Sequence, residues 1–318
     1  MNEERRGILF GLSAYVMWGL FPLYFPLLEP ASALEILAHR VVWTLLFLLG
    51  LLGLRRRWAW VRQVLGDRRR LLILSVASVV IAVNWGVYIW AVNHGHVVEA
   101  ALGYYINPLV TVLLGVVLLR ERLRAGQWVA VGLATLAVVV LAVDLGRPPW
   151  IALLLAFSFA TYGLMKNRVR MPALESLSVE TALLLVPAVA VLAVLESRGT
   201  ATFGHTALGT NLLLVGVGIL TAVPLLLFGA AASRVPLSTM GLMQYITPTL
   251  QFMIGLLVVH EHMSDGRWAG FAIVWLALLV FSLDSLRAAR ARATDREAAD
   301  PDPDPSPLPD GRVSRSGR

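Results

Sequence analysis

The sequence predicts an all-α integral membrane protein, with ten transmembrane helices arranged as two inverted five-helix repeats. Three observations carry this: composition, the length of the apolar blocks, and self-similarity at a fixed offset. The chain has 318 residues, 58% hydrophobic and only 15% charged, with mean hydropathy +0.72. Soluble domains hold about a quarter charged residues, so a water-exposed globular enzyme is a poor fit. The apolar residues fall in blocks of about 17–25, the length that crosses roughly 30 Å of hydrocarbon. Cysteine is absent, which removes disulfides, thiol nucleophiles and thiolate metal sites together.

The ten segments run over about 7–27, 36–54, 71–92, 98–119, 126–143, 150–166, 178–195, 210–230, 236–259 and 268–286. The first is too long for a signal peptide's apolar region, carries Pro22 and Pro26, and lacks a clear small-residue cleavage site. It is therefore read as a retained span.

Basic residues orient the bundle. With a cytoplasmic N-terminus, the inner loops hold Arg5, Arg6, the arginines between Arg55 and Arg70, the Arg120–Arg124 group, Lys166, Arg168, Arg170 and Arg234. The outer loops hold only Arg147, Arg198 and Arg267. This asymmetry is the positive-inside signal and places both termini in the cytoplasm of a cell (inner) membrane protein. It also accounts for the net charge of +7 as a topology signal, so no nucleic-acid partner is expected.

At an offset of 140, Tyr105-Ile-Asn-Pro108 matches Tyr245-Ile-Thr-Pro248, and the register continues through Gly115/Gly255, Glu121/Glu261, Gly126/Gly266 and Trp128/Trp268. Hydrophobicity alone does not place Pro, Gly, Glu and Trp at one spacing. Five spans per half is an odd number, so the second half enters the membrane from the opposite side, as in many secondary transporters. Residues 1–145 and 146–286 form the two halves. Residues 287–318, ending in alternating prolines, are expected to be a disordered cytoplasmic tail.

The repeat and its Pro/Gly/Glu framework resemble the EamA-type permeases of the drug/metabolite transporter superfamily. Ala14-Tyr-Val-Met-Trp-Gly19, Glu35-Ile-Leu-Ala-His-Arg40, Asn84-Trp85, Glu99-Ala-Ala-Leu-Gly-Tyr-Tyr-Ile-Asn-Pro108 and Gln244-Tyr-Ile-Thr-Pro248 are similar to the RarD subfamily. The resemblance covers about residues 7–285. It implies a ten-helix fold and export or exchange of small metabolites, without fixing a substrate.

Several residues are candidates for the chemistry. Arg40 and His39 lie inside the second span, and both are candidates to face the cavity. A charge at membrane depth costs about 2.5–3.5 kcal/mol on insertion scales, so it needs a partner. Two readings are open: a guanidinium that binds a substrate carboxylate or phosphate, or a structural pair with Glu35, Glu99 or a helix-end carbonyl. Glu35 and Glu99 are also the candidates for proton coupling. Tyr104, Asn107 and Thr111 share one face of the fourth span. Gln244, Thr247 and Gln251 repeat them on the ninth, and the two stripes are expected to line a cavity or to serve as interhelical hydrogen-bond glue. Trp18, Trp85 and Tyr88 lie at mid-span and offer either a flat wall for substrate or ordinary packing.

Pro108 and Pro248 are hinge candidates, because each removes a helix hydrogen bond. Glu121 and Glu261 end equivalent spans on opposite sides of the membrane and are read as a structural or gating pair. His260-Glu-His262 lacks the i, i+4 histidine spacing of the zinc-protease motif, and neither metal nor cofactor is expected. No phosphate-binding loop is present, so no ATPase subunit is implied. The partners expected are a small-molecule substrate and the bilayer. The function predicted is a secondary transporter of small metabolites or drug-like molecules working by alternating access. The rival classes are an intramembrane enzyme, for which no nucleophile–base motif is found, and a channel or receptor on the same bundle.

Overall fold

The computed structural model describes residues 3–55, 58–120, 123–169 and 171–299. Among these there is no strand. The chain opens with α1 (Glu3–Gly19), α2 (Phe21–Tyr24) and a 3-10 turn (Phe25–Leu28), then α3 (Ala33–Arg55), a short α4 (Ala59–Gly66), α5 (Arg68–Asn93), α6 (Val97–Leu119) and α7 (Ala125–Leu145). It continues with α8 (Trp150–Val169), α9 (Ala173–Ser197), α10 (Leu208–Ala232), α11 (Leu237–Met243), α12 (Ile246–Leu257) and α13 (Asp265–Ala299).

Seven helices (α3, α5, α6, α7, α9, α10 and the apolar part of α13) are long and apolar enough to cross a membrane among the described residues. An eighth span results if α1 and the Phe21–Leu28 segment, bent by 44°, count as one. Two predicted segments depart from that pattern. The sixth, α8, ends in Lys166 and Arg168. The ninth is split into α11 and α12 at Gln244-Tyr245. The split changes the role expected of Pro248: it falls in the first turn of α12, where a missing N–H costs no helix hydrogen bond. Its counterpart Pro108 sits inside a continuous α6. Of the predicted disordered tail, residues 287–299 are helical, as the end of α13; the remainder lies outside the described residues.

The environment is written on the surface. Val143 and Val186 are each 77% exposed, amid many other exposed Leu and Val side chains, as lipid-facing spans require and a water-facing helix does not. Inside, α7 packs on α13, α8 on α5 and α6, α3 on α9 and α10, α1 on α10 and α12, α6 on α12, and α5 on α9. Small residues permit these approaches. Ala130, Ala134 and Ala137 line the face of α7 that meets Phe271, Val274 and Ala277 of α13. At Gly218 of α10 a Cβ would overlap the Trp43 backbone of α3, so only glycine fits. Two non-glycine residues have positive φ among the described residues, Arg120 (φ 55°) and His260 (φ 56°), and they are 140 positions apart. Each follows a Tyr-Ile-Asn/Thr-Pro stretch and lies in the turn after α6 or α12.

Candidate substrate site

Arg40 occupies the middle of the bundle and is 3% exposed. The apolar run of α3 forces it inward, and α5 supplies the surface it meets. Its guanidinium carbon lies 4.0 Å from the centre of the Trp85 ring and 5.7 Å from that of Phe21. Cation–π contact of this kind is worth about 2 kcal/mol or more once desolvated. Tyr88, buried, completes the wall: its ring stands 5.6 Å from Tyr104 and 6.0 Å from Phe25. No carboxylate joins them. Among the described residues Arg40 has neither an ion pair nor a hydrogen-bond acceptor, and its Nε is buried without a partner. The Tyr88 hydroxyl, Asn107 Oδ1 and Gln251 Oε1 are likewise buried and unsatisfied. Leaving such groups unmade costs about 1–3 kcal/mol each, more for a charge.

The two structural partners proposed for Arg40 are occupied elsewhere. Glu99 pairs with Arg147 at 2.9 Å and accepts from the Ile151 backbone N–H at 3.2 Å, at the start of α8. Glu35 Oε1 accepts from the backbone N–H groups of Thr202 and Phe203 at 2.7 and 3.0 Å. A structural pair between Arg40 and either acid is therefore corrected by the geometry.

The polar stripes of α6 and α12 do not converge as expected. On α12, Thr247 donates to the Tyr15 carbonyl at 2.8 Å and Gln251 donates through Nε2 to the Trp18 carbonyl at 3.2 Å, tying the helix to α1. Gln244 caps α11 at the split. On α6, Tyr104 donates to Asn84 Oδ1 at 3.2 Å. Thr111 is exposed and bonds back to the Asn107 carbonyl at 2.9 Å. Trp18 packs against Tyr15 and Phe228 and borders the cluster that holds Phe21 and Tyr88. Of the candidates, Arg40, Trp85, Tyr88 and Tyr104 come together. Asn84 was missed as a site residue; its amide also reaches the Leu155 carbonyl at 3.0 Å and Ser158 Oγ at 2.9 Å, so it fixes Tyr104 against α8.

His39 points away from this cage. It accepts through Nδ1 from Trp43 Nε1 at 3.1 Å, and its ring lies 4.7 Å from Phe203. Glu261 caps α6, accepting from the backbone N–H groups of Val97 and Val98, the latter at 3.1 Å. Burial pushes its carboxyl up to about 7, and the N–H donors oppose that shift. Beside it, burial lowers His96. Glu121 lies outside the described residues. Glu180, wholly buried like Glu35, is satisfied by Tyr162 at 2.9 Å, Lys166 at 2.8 Å and Ser176 at 2.7 Å, and locks α8 to α9.

A helical bundle with lipid-facing spans and an unpaired cation at its centre has the build of a membrane permease. Comparison with known proteins agrees. Residues 5–143 match the EamA-like transporter family. Protein RarD of Streptomyces exfoliatus is 55% identical over 94% of this chain and 95% of its own length. The uncharacterized transporter YojE of Bacillus subtilis is 44% identical over 91% and 97%. A protein of known crystal structure shares the fold at 18% identity, with a TM-score of 0.57 over 87% of this chain and 97% of the other. The chain belongs to the EamA-type transporters, as a RarD-type permease.

Proposed function

We propose that this permease is a secondary transporter, an exporter or exchanger, in which Arg40 binds an anionic group of a small metabolite or drug-like solute inside an aromatic cage. The observation that carries this reading is a buried arginine with no carboxylate partner among the described residues. A cation left unpaired in a low-dielectric interior is expensive, and a carboxylate or phosphate offers it two parallel hydrogen bonds. The Tyr88 hydroxyl and Asn107 Oδ1 are further unsatisfied groups available to a polar solute.

The reading takes the chain as ten spans in two inverted halves that rock by alternating access, with both termini cytoplasmic in the cell membrane. Three features support it. Each of the ten apolar segments is helical. If α1, α3, α5, α6 and α7 exchange with α8, α9, α10, α12 and α13 in order, the packing pairs given above map onto one another. The positive-φ residues keep the same offset of 140. Energy then comes from a solute or ion gradient.

A thermal-shift series on purified protein tests the site with carboxylates, sugar phosphates and nucleotides against neutral analogues of the same shape. A ligand at a hundred times its dissociation constant stabilises by about 2.7 kcal/mol. Stabilisation by an anion, absent with its neutral analogue and lost in Arg40→Gln, is expected. Stabilisation that survives Arg40→Gln would place the anion elsewhere.

A further inference from the structure

A second polar site lies on α3, on a different face from Arg40. A cleft of about 280 Å³ opens between α3, α9 and the loop before α10, lined by Val189, Leu192, Ala193, Ala201 and Phe203. Its polar lining is Glu35, wholly buried, and His39, 4% exposed, with Glu196 at the surface end. Trp43 Nε1 can only donate, so His39 Nδ1 accepts and the neutral ring carries its proton on Nε2. That Nε2–H has no acceptor, and Glu35 Oε2 has no donor; both atoms are buried. A donor and an acceptor one helical turn apart, each unmet beside a cleft, suit a water that bridges them and hands a proton to the carboxylate.

We infer that Glu35 is a proton-binding site, loaded through this cleft, whose protonation releases the loop that its carboxylate now holds. The inference deepens the transporter reading and rests on it: α3 then bears the anion site on one face and the proton site on another. Proton uptake at Oε2 converts the carboxylate to a neutral carboxyl. The two backbone N–H bonds from Thr202 and Phe203 to Oε1 lose their charge assistance, which accounts for about half the strength of each. The loop at 201–203 leads into α10, which packs on α1 and α3, so the release reaches the helices around the central cage. The other titratable groups here are His39, Glu196 and His205; the last two are exposed and paired with each other at 3.0 Å. No residue of α5 or α10 lines the cleft.

The absence of cysteine makes the test direct and independent of any solute. Thr202→Cys places a thiol at a site 5% exposed while keeping the backbone N–H that Glu35 holds. Its maleimide labelling is followed from alkaline to acid pH, corrected for the intrinsic rise of thiolate with pH using an exposed control, Ser197→Cys. Corrected labelling should rise about tenfold on acidification, the open fraction expected when two charge-assisted bonds weaken. Adding Glu35→Gln should fix it at the high level at every pH, and Glu35→Asp should restore the pH dependence. Should Glu35→Gln fail to give folded protein, the Glu35→Asp profile, displaced along the pH axis, serves instead. A profile that is flat in the parent, unchanged by Glu35→Gln and Glu35→Asp, or abolished by His205→Asn overturns the inference. None of these outcomes touches the Arg40 site.

Discussion

The interior of the bundle around Arg40 and the α7–α13 contact treat charge in opposite ways. At the α7–α13 contact two aspartates are each matched by an arginine. Asp284 receives Arg124 at 2.6 Å beside the start of α7. Asp144, 140 residues earlier, receives Ser264 at 2.6 Å and Arg267 at 3.8 Å beside the start of α13. Each aspartate sits against a glycine, Gly126 or Gly266, where a Cβ would overlap it. A carboxylate at a helix N-terminus also meets the positive end of the dipole. Within the bundle, Arg40 has aromatic rings and no counter-charge among the described residues, and α9, which packs on α3 and is its counterpart in the proposed repeat, contains no basic residue. The duplicated feature is the one packing demands. An unpaired buried charge costs stability, and such costs gather at functional sites, which is what makes Arg40 the candidate.

That contrast can be broken in four ways, in falling order of effect. Arg40→Ala should abolish anion-dependent stabilisation and solute exchange in proteoliposomes, a loss on the order of 100-fold or more, with the folded yield retained. Collapse of the folded yield would instead make Arg40 a structural residue like Arg124. Gly126→Ala and Gly266→Ala should each destabilise by about 1–3 kcal/mol in thermal unfolding, and by similar amounts, since each pushes an aspartate off its helix end. A large effect from one and none from the other would end the equivalence.

Glu261 gives a pH-dependent effect intermediate in size. Its carboxyl titrates at about 7 in the folded protein, against 4.5 ordinarily. Between those values the folded chain holds a proton that the unfolded chain has lost. Stability therefore falls as pH rises from about 4.5 towards 7, by about 1–3 kcal/mol. Denaturant titrations across this range should show that slope in the parent and a flatter one in Glu261→Gln. The smallest effect belongs to the α1–α12 ties: Thr247→Val and Gln251→Leu should cost about 0.6 kcal/mol each, without loss of anion binding. Loss of binding in Gln251→Leu would return that residue to the cavity.

The helices, the offset of 140 and the burial of Arg40 were legible because each depends on local pattern: apolar length, spacing, and a charge inside an apolar run. Partner choice was not legible. Glu99 meets Arg147, 48 residues on, and Glu35 meets a backbone turn 167 residues away; no periodicity reports such distances. The stripes on α6 and α12 match in sequence, yet the split at Gln244-Tyr245 leaves α12 reaching for the carbonyls of α1. Asp144 and Asp284 keep the same offset as Gly126 and Gly266, which already pairs an acid with a close approach in each half.

The central claim is that Arg40 is unpaired for the sake of a solute. The most direct test is the thermal unfolding of Arg40→Met in the absence of any solute, set beside the parent. Methionine fills a similar volume and carries no charge to desolvate. The account predicts an unfolding midpoint equal to or above the parent's, with anion-induced stabilisation gone, because replacing an uncompensated buried charge by an apolar side chain is neutral or favourable. A midpoint several degrees below the parent's would mean that Arg40 holds the bundle together, and would contradict the claim.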